Sequence, residues 1–200
     1  MTDLGVWAMG FASSLALIAA IGAQNTMLIR TGVRREHVGV AIAMCLASDI
    51  LLISAGTAGM GALFTRHPGV MEALAWIGAA YLAGYAVMAF RSAIAPKAIT
   101  VSGGGTLRGV VTAVLAATYL NPQAYLDTLV LLGNMANQHG DPGRWVFTAG
   151  ALTASTVWFV GLGLGARALA GPLSRPRTWR WIDTGVGVMM TVLAIRLLPV

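Results

Sequence analysis

The sequence predicts an all-α integral membrane protein of six transmembrane helices, arranged as two inverted three-helix repeats. Three observations predict it. Of the 200 residues, 57% are hydrophobic and only 10% are charged, where a soluble domain carries about 25% charged residues. Six apolar runs are each long enough to cross a bilayer, which takes about 20 residues. The longest connector, Ser92–Leu107, falls at the midpoint with three runs on either side.

The runs are roughly Leu4–Ile29, Val38–Phe64, Val70–Phe90, Val110–Leu132, Trp145–Leu169 and Trp181–Leu198. The first has no Lys or Arg before it and is too long for the short apolar stretch of a cleaved signal peptide. It is therefore expected to be a retained span. Between the third and fourth runs, Pro96, Lys97 and Gly103-Gly104-Gly105 mark a flexible linker. The division is a first half 1–91, a linker 92–107 and a second half 108–200, forming a single transmembrane domain.

Internal matches support a duplication. Trp76-Ile77 and Arg91 bracket the third run at the separation at which Trp181-Ile182 and Arg196 bracket the sixth. Val87 and Ala89 match Val192 and Ala194 at the same offset. The second and fifth runs share Ala-Ser, at 47–48 and 154–155, with Gly56 and Gly163 equally far beyond. Three spans per half give the halves opposite topologies, the plan of many secondary transporters.

The net charge of +6 is not a nucleic-acid signal, because the basic residues occupy short gaps between apolar runs. Connectors 1–2, 3–4 and 5–6 with their flanks hold Arg30, Arg34, Arg35, Arg91, Lys97, Arg108, Arg167, Arg175, Arg177 and Arg180. Only Arg66, Arg144 and Arg196 fall on the other side. Such a bias places the odd-numbered connectors in the cytoplasm and both termini outside.

The exceptions to apolarity carry the functional signal. Asp49 sits near the centre of the second run and Asp127 inside the fourth. A central Asp costs about 2.5–3.5 kcal/mol on insertion scales, so it is paired, cavity-facing or protonated. A purely structural hydrogen-bonding role is the competing reading. Two polar clusters accompany the acids, Gly22-Ala23-Gln24-Asn25 and Asn121-Pro122-Gln123. Pro122 cannot donate to the carbonyl of Thr118 and its ring displaces that carbonyl, so the fourth helix should break there. Gly22 allows the same in the first helix. Irregular backbone at membrane depth is tolerated where it lines a cavity or is covered by protein, and breaks in both halves point to a transporter's binding site. Gln123 and Asp127 share a helix face, and Cys45, Asp49 and Gly56 share another. Facing stripes would let the two carboxylates hold one cation or a proton.

Other chemistry has little support. The lone Cys45 offers no disulfide and reads as a packing residue. His37, His67 and His139 all lie in connectors. There is no His-Glu-x-x-His and no phosphate-binding loop. No cofactor, metal or enzymatic activity is expected. Gly161-x-x-x-Gly165 usually serves packing within one molecule, and a homo-oligomer stays open.

These motifs resemble those of the LysE-type basic amino acid exporters. The first-span signature is Ile21-Gly22-Ala23-Gln24-Asn25 with Leu28-Ile29-Arg30-x-Gly32, followed by Arg34-Arg35-Glu36-His37 and Cys45-x-x-Ser48-Asp49. The fourth-span motif is Tyr119-Leu120-Asn121-Pro122 with Tyr125-Leu126-Asp127-Thr128. The similarity covers nearly the whole chain and points to the lysine/arginine branch of the superfamily. It implies ATP-independent export of L-lysine or L-arginine across a bacterial inner membrane. Asp49 and Asp127 would be the membrane carboxylate pair, with Gln24, Asn25, Asn121 and Gln123 beside them. Gln123 departs from the pattern, since His is common there. Export of another cationic or neutral solute on the same fold, and a non-transporting membrane subunit, are the alternatives.

Overall fold

The computed structural model describes residues 2–19, 22–60, 68–95 and 106–198, and these are helical throughout with no strand among them. Helix α1 spans Asp3–Ile18, capped by the Thr2 hydroxyl, which accepts from the Gly5 amide. Helix α2 spans Ala23–Arg34 and ends on Arg35 in the left-handed region, φ 60°. Helix α3 spans Val38–Ala55 and runs on into a π-helical segment, Gly56–Met60, that leaves helical geometry at Gly59, φ 103°. Helix α4 spans Pro68–Ile94, and α5 spans Leu107–Tyr119 behind a Thr106 cap.

Past a break come α6, Pro122–Tyr125, a second π-helical segment, Leu126–Leu132, and α7, Gly133–Asn137. Helix α8 spans Gly140–Ala168, with Asp141 non-helical inside its first turn. The short α9, Ala170–Leu173, leads to α10, Pro176–Leu197, which starts with proline at its first turn, where the missing N–H costs nothing.

Three helices are individually long and apolar enough to cross a membrane: Val38–Met60, Ala75–Ile94 and Gly140–Ala168. The pair α1 and α2 passes that test jointly but is bent by 79°. The chain is thus an all-helical membrane protein, yet three of the six expected runs need correction. The first is not one helix, because its spiral stops at Ile18 and restarts at Ala23. The fourth is interrupted at Leu120–Asn121. The sixth begins not at Trp181 but at Pro176, and α10 draws Arg177, Arg180 and Asp183 into its first half, which lowers its hydropathy. The end of the second run, to Phe64, lies outside the described residues.

The linker expected over Ser92–Leu107 is shorter at both ends. Helix α4 continues through Ser92 to Ile94, and Leu107 opens α5. Its centre, 96–105, lies outside the described residues.

Two groups of helices result. Helices α1, α2, α3, α5 and α8 form a bundle whose core includes Leu28, Ile42, Cys45, Val114 and Phe159 toward one end, and Val6, Ile53, Leu132 and Phe147 toward the other. Helices α4 and α10 pack along each other through Leu82, Ala86, Ala89, Val186, Met190 and Ala194. Their outer faces carry exposed Trp76, Ile77, Met88, Trp181, Val192 and Ile195, as lipid-facing surfaces do. Lipid supplies no hydrophobic drive between helices, so close backbone approach supplies packing. At Gly10 and Gly150 the approach is extreme. A Cβ on Gly10 would overlap the carbonyl of Phe147, and one on Gly150 the carbonyl of Trp7.

Candidate functional site

The two interruptions are built from local chemistry. At the first, Gly22 adopts extended backbone, φ −96° and ψ −169°, ahead of α2. The end of α1 leaves carbonyls without helical partners, and the Asn25 side chain donates to one of them, Ile18 O, at 2.7 Å. Trp158 Nε1 in turn donates to Asn25 Oδ1 at 3.3 Å, tying the break to α8.

At the second break Asn121 is extended, φ −96° and ψ 103°, as expected of a residue before proline. Its Oδ1 accepts from the Gln123 amide at 3.2 Å, and Pro122 occupies the first helical position. The Tyr125 hydroxyl donates to the carbonyl of Tyr119 at 2.9 Å, satisfying a group the break set free. At each break a side chain covers one of the carbonyls set free, Asn25 at the first and Tyr125 at the second.

Between these breaks lies a cavity of ≈ 210 Å³. The residues singled out from the sequence as site or break residues line it, Pro122 apart. Gly22, Gln24 and Asn25 come from the first break, Asn121 and Gln123 from the second, Asp49 from α3 and Asp127 from the π segment. Pro122 starts the helix that presents Gln123 and Asp127, and it packs beside Gly78 of α4. Cys45 lies outside the lining, buried in the bundle core with Leu28 and Ile42.

The two acids are held differently. Asp49 is 4% exposed and accepts from the Ser155 hydroxyl of α8 at 2.6 Å. Asp127 accepts from Gln123 Nε2 at 2.8 Å, one helical turn away on its own segment. One acid is therefore anchored across the bundle and the other within its own helix. Two further polar atoms of the lining are buried without a hydrogen-bond partner among the described residues: Ser14 Oγ and Thr118 Oγ1. Buried polar atoms are nearly always satisfied, so their concentration around one cavity marks a surface shaped for a polar ligand. The opposite wall is apolar, from Leu82 of α4 and Met190 and Leu193 of α10.

The π-helical segment Leu126–Leu132 lines the cavity through Asp127, Thr128 and Leu132, and Gly56–Met60 of the first half, which leaves helical geometry at Gly59, packs against it. They meet at Gly56, where an added Cβ would come 2.7 Å from the carbonyl oxygen of Thr128. The wider turn of a π segment changes which side chains share a face, and such segments frequently sit at functional sites. Here the turn starting at Leu126 carries Asp127.

Sequence reasoning missed Ser155, Tyr125 and Trp158. Ser155 had a visible signal, because the Ala-Ser pair at 154–155 matches the pair at 47–48 directly before Asp49. Tyr125 stands in the fourth-span motif without an assigned role, and Trp158 carries no such mark. It also missed a second fully buried acid, Asp183 on α10, which is 2% exposed.

Ser155→Ala removes the donor that orients Asp49 while keeping its volume nearly unchanged. A hydrogen bond to a carboxylate is worth about 1.5–3 kcal/mol. The expected result is a fall in transport rate of roughly tenfold with the protein still present in the membrane, checked by initial rates normalised to protein amount.

Comparison with known proteins gives a consistent picture. A family model described as LysE type translocator matches residues 15–199. The chain is 38% identical to a protein named lysine exporter LysE from Corynebacterium efficiens, over 96% of this chain and 98% of that one. It is 38% identical to a lysine exporter LysE from Corynebacterium glutamicum, covering 94% and 96%. An arginine exporter protein, ArgO, from Yersinia enterocolitica is also 38% identical, covering 97% and 96%. No solved structure matches the chain.

Proposed function

The chain belongs to the LysE type translocator family, and we propose that it exports L-lysine and L-arginine from the bacterial cytoplasm as a secondary transporter. One observation carries the reading: the two membrane acids, Asp49 from one half and Asp127 from the other, line the same cavity between two helix breaks. An ammonium or guanidinium group is the ligand that two such carboxylates favour, and the amide side chains around them suit an amino acid's α-amino and carboxylate groups. Homologues named for lysine and arginine export support the substrate class.

The architecture behind this proposal is two inverted repeats, residues 1–91 and 108–200. The contacts between helices support it. Helix α2 packs on α5, α3 on α8, and α4 on α10, while α1 packs along α8. Both halves break at their first span. The side holding Arg34, Arg35, Arg108, Arg167, Arg175 and Arg177 faces the cytoplasm under the positive-inside rule.

Export of a cation works against an inside-negative potential at about 2.3 kcal/mol per charge per 100 mV. A transporter without ATP therefore needs an exchanged charge. A proton carried inward on one of the two acids meets that need in alternating access.

The direct test is efflux from a lysine- and arginine-exporter-deficient bacterium fed basic dipeptides. Expression of this protein is expected to raise the initial rate of lysine and arginine appearance in the medium by about tenfold or more, as a transport route replaces leakage. A rate equal to that of empty-vector cells would reject the reading.

A further inference from the structure

Asp183 is the acid the transport site does not use. It lies on α10 and accepts two hydrogen bonds, from Arg30 Nη2 of α2 at 2.9 Å and from Ser92 Oγ of α4 at 2.5 Å. The Arg30 guanidinium also lies over the ring of Trp179, 4.6 Å from its centroid. Its side chain is 41% exposed while that of Asp183 is 3% exposed. The cluster thus has a cation reachable from outside and an anion that is not.

Its position matters. Arg30 is eight residues beyond Gly22, about 12 Å along α2 from the break, toward the end of the molecule that carries Arg34 and Arg35. Ser92 and Asp183 lie at the same end of α4 and α10, beside Arg91 and Arg180. None of Arg30, Ser92, Trp179 and Asp183 lines the cavity. The cluster sits between the cavity and the basic face.

It also joins the two helix groups. The α4–α10 pair has its own apolar core and supplies the apolar cavity wall. At the far end α4 is anchored where Gly78 meets Pro122. At the basic end the Asp183 carboxylate ties both α4 and α10 to α2, beside apolar packing of Trp179 and Ile182 with Ile29 and Val33. Two buried donors of the cluster, Arg30 Nε and Trp179 Nε1, find no partner among the described residues. The contact is less than fully satisfied, as suits one that must release.

We propose that Arg30, Ser92 and Asp183 form the cytoplasmic gate of the transport path, and that a cationic solute opens it by replacing Arg30 as the counter-ion of Asp183. This rests on the orientation and exporter reading given above. Moving α10 away from α2 strands a buried carboxylate, which is strongly unfavourable unless another cation pairs with it. A lysine or arginine side chain arriving from the cytoplasm supplies that cation. A neutral amino acid brings its ammonium group together with a carboxylate and so supplies no net positive charge. The gate therefore filters charge before the solute reaches Asp49 and Asp127, and opens least often when no cation is present.

The test places a cysteine on the cavity wall, Leu193→Cys in a Cys45→Ala background, in inside-out vesicles. A membrane-impermeant thiol reagent is applied to the exposed cytoplasmic face. Labelling is expected to be slow, and faster by about tenfold in Arg30→Gln and Asp183→Asn, the population shift that loss of one charge-assisted hydrogen bond brings. The exchanged pair Arg30→Asp/Asp183→Arg should return labelling to the slow rate. Ser92→Ala, which keeps both charges, should give a smaller increase and serves if the exchanged pair does not accumulate. Added lysine should accelerate labelling where alanine does not, and Asp183→Asn should remove that response. Unchanged labelling in both neutralised variants, or equal acceleration by alanine, overturns the gate. Charge-dependent labelling in a protein that fails the efflux test rejects the exporter reading alone.

Discussion

Asp49→Asn and Asp127→Asn are each expected to lower lysine and arginine efflux by roughly a hundredfold or more, with the protein retained in the membrane. Both substitutions keep the shape of the side chain and delete its charge. Ser155 can still donate to the amide oxygen introduced at position 49, and Gln123 to the one at position 127, so the local geometry survives. What is lost is the attraction for a cation in a cavity lined largely by apolar side chains. Truncating one partner of a buried charge pair costs about 2–5 kcal/mol, and about 2.8 kcal/mol is already a factor of a hundred. Initial efflux rates normalised to membrane protein measure the effect. Vigorous efflux by both variants would remove the acids from the mechanism. Failure of both to accumulate would make Asp49 and Asp127 structural groups instead.

Gly10→Val and Gly150→Val are expected to abolish accumulation of folded protein. The crossing of α1 and α8 brings the two backbones together so that each glycine faces a carbonyl of the other helix, Gly10 that of Phe147 and Gly150 that of Trp7. Overpacking a core usually costs about 1–3 kcal/mol because side chains can shift. Here the obstacle is main chain, which has no rotamer to change, so the helices themselves must separate. That separation would uncover Val6, Phe147 and Ala151 and pull α8, with Ser155, away from Asp49. The readout is the amount of detergent-soluble, monodisperse protein. Gly161→Val, where an added Cβ meets nothing within 4 Å, is the control and should accumulate normally. Equal accumulation of all three would mean the crossing tolerates side chains.

The breaks and the acids show how far a sequence can carry such a site. Pro122 announces its break because its ring and missing N–H act within one turn of its own helix. Gly22 announces only permission to break. That Asn25 would reach back to Ile18 and forward to Trp158 depends on where α8 passes. The two glycine–carbonyl crossings were equally hidden, because a glycine in an apolar helix says nothing about which backbone approaches it.

The sequence by itself determined the membrane class, the family motifs and the residues whose polarity is out of place at bilayer depth. These follow from the cost of burying polar groups in hydrocarbon, which is a property of each segment alone. The tertiary structure alone decided that Asp49 and Asp127 reach one cavity, that Ser155 holds one and Gln123 the other, and that Asp183 faces Arg30 instead of joining them. Asp183 sits near the start of an apolar run beside three arginines, where an acid looks like ordinary interfacial charge. Only the packing of α2, α4 and α10 turns it into a buried carboxylate, because burial and pairing are set by helices distant in the chain.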